Sequence, residues 1–206
     1  MTKFMGAGAE ALKDKYKNAI ERNGYKFFES GMYNINIVGV RTTADEPNAF
    51  NDHLALIYKD SESKWVVDKY RITTDPGTYW LKHPSRVSGT AILVPGQYSG
   101  VYKIDLHKGL YEALCQRNGI VRVYRDSNLD EICDVDSGSI EEGWFGINIH
   151  RSTKNGSSNN IDKWSAGCQV FKNSIDFGDF MKLVKISSKY YGDTFTYTLL
   201  DEGDLG

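Results

Sequence analysis

Cysteine is scarce: Cys115, Cys133 and Cys168 are the three in 206 residues, widely spaced and with no CxxC pair among them. That spacing speaks against a disulfide framework or a zinc cluster, and an odd count leaves at least one free thiol within the chain. An excess of either charge is also missing, since 25 Lys and Arg stand against 27 Asp and Glu for a net charge of −2. No basic surplus exists to neutralise phosphates, so nucleic acid is not an expected partner. No apolar run approaches the ~18 residues of a spanning helix, so no membrane span is expected. Met1 to Lys15 has no apolar stretch and is interrupted by Glu10, Lys13 and Asp14, which does not read as a signal peptide. His53, His83 and His107 lack ligand spacing to one another, and no metal or other cofactor is expected. Asp126-Ser127-Asn128-Leu129-Asp130 opens like a calcium loop, but Glu131 stands where glycine is needed and Ser137 where the closing glutamate belongs.

What is present leans towards strands. The chain carries 13 Tyr and 20 Gly together with many Thr, Val and Ile, a composition that suits a sheet-rich core. Ala9 to Arg22 has helical spacing and a stop at Asn23-Gly24. Strands are expected from Tyr33 to Val40, His53 to Lys59, Lys64 to Thr73, Thr90 to Val94, Gly100 to Ile104, Val121 to Arg125, Trp144 to His150 and Thr194 to Leu200. Asp75-Pro76-Gly77 reads as a turn, Leu110 to Arg117 as a short helix and Ser174 to Lys189 as a helix with Phe177, Phe180, Met181 and Val184 on one stripe. Nothing marks a linker or a repeat. The expectation is one mainly-β domain over residues 1–206, with an N-terminal helical extension of about 30 residues.

The stretch richest in chemistry is Gly146-Ile147-Asn148-Ile149-His150, a polar Ser/Asn/Gly loop, then Trp164-Ser165-Ala166-Gly167-Cys168-Gln169-Val170. A histidine at a strand end and a cysteine after a small-residue turn can meet across such a loop. A thiol with an ordinary pKa of about 8.5 is mostly protonated at neutral pH, and a neighbouring imidazole activates it. Glycine before the cysteine permits a tight turn whose N–H groups could face a substrate oxyanion. A buried, inert thiol is the competing reading of Cys168.

Ser165 lies 15 and Cys168 18 positions after His150. This pattern resembles the L,D-transpeptidase (YkuD-like) catalytic domain, whose signature is a histidine, a spacer, then Ser/Thr-His-Gly-Cys. The close part of the resemblance covers about residues 143–183. Thr73-Thr74-Asp75-Pro76-Gly77-Thr78-Tyr79 is loosely similar to the family's Thr-Pro-x-Gly-x-Phe segment. Two positions depart from the pattern: Ala166 replaces the second histidine, and Val170 the arginine that usually follows the cysteine by two residues.

The resemblance implies an L,D-transpeptidase-like β-sandwich with peripheral helices at the N-terminus and after the cysteine. It makes Cys168 the nucleophile, His150 the base, and Ser165 and Gly167 the turn that presents the thiol and faces the oxyanion. The implied partner is a peptidoglycan stem peptide, cleaved or exchanged through a thioester. Arg151 is a candidate for the substrate carboxylate and Trp164, with Trp144 on the other flank of the motif, for a groove wall; a solvated charge and packing residues are the alternatives. His107, on one strand face with Asp105, is a further candidate for orienting His150. A phage or effector wall hydrolase, made in the cytoplasm and delivered to the wall by a particle or secretion system, fits a chain without a leader. The other class is a non-catalytic β-rich binding or structural module, which Ala166 and Val170 favour.

Overall fold

The computed structural model describes residues 1–44, 46–135 and 140–206; Ser137 of the calcium-loop comparison lies outside them. In chain order the elements are β1 (Thr2–Phe4), α1 (Gly6–Arg22), β2 (Asn36–Arg41), β3 (Asp52–Lys59), β4 (Trp65–Thr73), α2 (Thr78–Lys82), β5 (Thr90–Leu93) and β6 (Gly96–His107). They continue as β7 (Tyr111–Gln116), β8 (Val121–Asp126), β9 (Glu141–Gly143), β10 (Ile149–Arg151), β11 (Gln169–Phe171), α3 (Ser174–Tyr191) and β12 (Thr194–Asp201), with a last 3₁₀ turn at Glu202–Leu205.

The protein is mainly β, and its long sheet closes on itself. Eight strands run β4-β11-β10-β7-β6-β12-β2-β3 and back to β4, with β1 paired along β4 and a separate sheet β5-β8-β9 beside them. Closure removes the unpaired edges of an open sheet. Most pairs are antiparallel, but β10–β11 and β12–β2 are parallel, and parallel neighbours require a crossover connection.

Alternation assigns each wall residue to one of two faces. Ile37, Leu54, Leu56, Tyr70, Ile72, Leu114, Ile149, Phe171, Tyr197 and Leu199 share the larger core, to which α3 adds Phe177, Phe180, Met181 and Val184. Val38, Val40, Ala55, Ile57 and Val67 point the other way and are covered by Ala9, Tyr16, Ala19 and Ile20 of α1. Both helices form where apolar periodicity indicates. Asn173 caps α3 by accepting from the Ile175 and Asp176 N–H groups.

Two segments differ from the sequence reading. Residues 110–117 were expected as a helix, but Tyr111–Gln116 is strand β7, paired with β6 from Tyr102↔Gln116 to His107↔Tyr111. Lys108 and Gly109 both take left-handed φ values, 52° and 72°, and reverse the chain into a hairpin. Pairing on both sides then overrides the helix propensity of Leu, Glu and Ala. Residues 144–150 were expected as one strand, but only Ile149–Arg151 joins the sheet. Gly146 has φ of 71°, which breaks the pleat. The N–H groups of Phe145, Gly146 and Ile147 instead converge on the Gln116 side-chain oxygen, at 3.2, 2.9 and 3.1 Å.

Gly39 marks the tightest point of the wall, because a Cβ there would sit 1.8 Å from the Tyr197 hydroxyl. That hydroxyl donates to Gln169 Oε1 at 2.8 Å, directly beside Cys168 in sequence. Gly39→Ala is expected to destabilise the fold by about 1–3 kcal/mol, as an overpacked core does. Gly178→Ala, where a Cβ meets nothing within 4 Å, should instead gain about 0.5–1 kcal/mol of helix stability. Urea unfolding of the two variants measures both signs.

Candidate functional site

The site is built where the chain passes from β10 through the polar loop into β11. In the parallel register His150 faces Val170, and the Gln169 N–H extends the ladder to the Asn148 carbonyl at 2.9 Å. Cys168 is therefore level with Asn148 and diagonal to His150, on the wall face opposite the inward Ile149 and Gln169. The Asn148 N–H donates to the sulfur at 3.4 Å, and the thiol donates to the Gly146 carbonyl at 3.5 Å. Among the described residues no hydrogen bond joins His150 directly to Cys168.

The turn before the cysteine is tied together by Ser165. Its hydroxyl donates to the Cys168 carbonyl at 2.8 Å and accepts the Gly167 N–H at 3.2 Å. Gly167 cannot be replaced without a shift, since φ is 113° and a Cβ would lie 2.3 Å from the Ala91 carbonyl oxygen. Ser165 and Gly167 thus form the turn that precedes Cys168. In this arrangement both the Ser165 hydroxyl and the Gly167 N–H are already engaged within the turn. The Asp75-Pro76-Gly77 segment packs on this turn, with the Gly77 N–H donating to the Ser165 carbonyl at 2.9 Å.

His150 is buried. Its Nδ1 faces the Arg151 carbonyl at 2.8 Å; only a protonated nitrogen donates to that oxygen, so Nε2 is the nitrogen with a free lone pair. The Tyr111 hydroxyl lies 3.3 Å from the same carbonyl. His107 stacks on His150, with ring centroids 4.1 Å apart and planes 21° from parallel. The Gln116 N–H donates to Asn148 Oδ1 at 2.9 Å, which directs the Asn148 amide NH₂ to His107 Nδ1 at 3.1 Å. A chain Gln116, Asn148, His107 thereby sets the position of the ring against which His150 rests. Asp105 does not take part; it pairs with Arg117.

Burial, with His107 beside it, pushes His150 down to about 3, and burial pushes His107 to about 4. Burial likewise raises the Cys168 thiol above its usual value, against the opposing Asn148 N–H. Thiol and imidazole are therefore both neutral at rest, and His150 Nε2 is left as an unprotonated acceptor.

A cleft of about 520 Å³ opens beside His150, lined among others by His107, Tyr111, His150, Arg151, Lys154 and Trp164, and Cys168 is not among its lining residues. Arg151 follows the strand end into the cleft rather than away from His150. Its guanidinium lies 4.1 Å from the Tyr111 ring centroid, and Nη1 donates to the Thr153 carbonyl. Trp164 is 42% exposed at the rim and its indole N–H donates to the Ser158 hydroxyl, whereas Trp144 stands 58% exposed and is not among the residues lining this cleft. Cys168 is only partly buried, against Phe50, Ile161 and Val170. The sequence reading gave no role to Tyr111, Gln116 or Asn148. The first two lay in the segment expected as a helix, where nothing indicated that they would turn towards His150.

Two titrations follow. Alkylation of Cys168 by iodoacetamide is expected to rise steadily through pH 8 to 9 without the neutral-pH plateau of a thiolate–imidazolium pair. His150 is held below its unfolded value near 6.5, so between about pH 6.5 and 3 only the unfolded chain takes up that proton, and stability falls as pH falls. Asp52, pushed up to about 6 by burial and by Asp75, acts in the opposite direction between about pH 4 and 6. The difference between wild type and His150→Gln isolates the histidine, with a slope smaller by about 1.4 kcal/mol per pH unit in the variant, read by urea unfolding from pH 4 to 6. No protein-family model, curated protein or solved structure matches this chain.

Proposed function

We propose that the protein is a cysteine-dependent acyl-transfer enzyme of the L,D-transpeptidase type, acting on peptidoglycan stem peptides. One observation carries the reading: the parallel β10–β11 ladder sets Cys168 and His150 on one face, with the Arg151 carbonyl holding the Nδ1 proton. Nε2 then serves as base. As the sulfur attacks the peptide carbonyl, His150 takes the thiol proton, the C–N bond breaks, and the imidazolium returns the proton to the departing D-alanine amine. The thioester left on Cys168 is resolved by water, which gives a carboxylate, or by an amine of a second stem, which gives a crosslink; either restores the thiol. In this reading the closed barrel, with α1 at the N-terminus and α3 after the cysteine, is a variant of the family's sandwich.

The second reading is a non-catalytic β-rich module. It is favoured by Ala166 and Val170 at the departing positions and by a thiol raised by burial rather than activated. Incubation with purified tetrapeptide stems and mass spectrometry separates the two. The enzyme is expected to release D-alanine, to lose all turnover as Cys168→Ala while keeping its melting temperature within a few degrees, and to lose about 10²–10⁴-fold in rate as His150→Gln. Absence of any product would decide for the module, and full activity in Cys168→Ala would overturn Cys168 as the nucleophile.

A further inference from the structure

The cleft above His150 has a charge unlike that of the chain. Four cations line it: Lys108 in the β6–β7 hairpin, Arg151 at the end of β10, Lys154 in the polar loop and Lys163 before the motif turn. Among the described residues no carboxylate lines it. Among the described residues none of the four makes an ion pair with an acid. Arg151 rests on the Tyr111 ring and Lys163 on the Tyr79 ring, at 4.1 and 4.2 Å, and Glu112 on the neighbouring hollow is taken by Lys185. A protein of net charge −2 that gathers four unpaired cations around one cleft creates a local positive field, which walls of low dielectric concentrate. The cations come from three separate stretches of chain. Between them, Leu110, 78% exposed, Tyr111 and Trp164 supply apolar surface for the body of a ligand.

We infer that the cleft selects an acyl donor with at least two free carboxylates, and that Lys108, Lys154 and Lys163 are its specificity-determining residues. This rests on the reading of the site as one for stem peptides. One carboxylate meets Arg151 beside His150. A second lies along the lysines, where amidation replaces a charge-assisted contact with a neutral one and leaves the lysine facing an amide.

The test uses the full chain as Cys168→Ala for binding and the unmodified protein for turnover, with synthetic tetrapeptides that differ only in amidation. By calorimetry the free-acid peptide should bind about tenfold tighter than the amidated one, as one charged contact is worth. The preference should shrink as salt rises from 20 to 500 mM. Lys108→Gln with Lys154→Gln should weaken the free acid by a larger factor than the amidated peptide, so that the preference between them shrinks. Equal affinity for the two peptides, or a preference that the double variant leaves intact, would overturn the inference, and continued turnover of both peptides would then show that the stem-peptide reading stands without it. If neither peptide binds nor is turned over, the stem-peptide reading itself fails and this inference falls with it.

Discussion

The parallel pairing of β10 with β11 is the constraint on which the site depends. Two strands of three residues each, joined by the loop between Arg151 and Gln169, complete the barrel between β7 and β4. Because they run in the same direction, the residue before each strand lies at the same end of the ladder. Asn148 and Cys168 are those residues, and the register places His150 two positions further on the same face. A slip by one residue would turn Cys168 inwards, where Gln169 now meets the Tyr197 hydroxyl.

Burial then decides the electrostatic state. His150 and His107 are stacked with little access to water, and charge on either ring would face the other across 4.1 Å. Both are consequently neutral, and their tautomers are set by hydrogen bonds rather than by solvent: Nδ1–H to the Arg151 carbonyl in one, Nδ1 accepting from Asn148 in the other. A buried imidazole with a fixed tautomer is a directed acceptor. The cost is a thiol that is not ionised at rest, so any chemistry must move the proton together with bond formation.

A buried polar frame holds the other side of the site. The Arg41 guanidinium pairs with Asp75 at 2.9 Å and donates to the Thr74 hydroxyl and the Leu93 carbonyl. Asp52 accepts from the Thr74 N–H and hydroxyl and from the Thr42 N–H. These bonds fix residues 73–75, and Gly77 just beyond them binds the Ser165 carbonyl. Removing one partner would leave a charge buried without compensation, which is why such frames resist piecemeal change.

Much of this was legible in local pattern. Apolar periodicity indicated α1 and α3, β-prone runs bounded by turns indicated β3, β4, β5, β8 and β12, and the spacing from His150 to Ser165 and Cys168 singled out the motif turn. Those features depend on residues close together in the chain, where side-chain period and turn chemistry act directly. The strand character of residues 111–116 was not legible, because it comes from two neighbouring strands that the local sequence does not contain. Nor was the end of alternation before Ile149, which needs the Gln116 side chain from another strand to satisfy three backbone N–H groups. The sequence by itself determined a mainly-β chain with a histidine and a thiol at a fixed separation. Only the tertiary structure decided that the strands close into a barrel, that His107 lies against His150, and that four cations from separate stretches face one cleft. Those outcomes depend on which distant segments become neighbours, and that is settled by the packing of the whole wall.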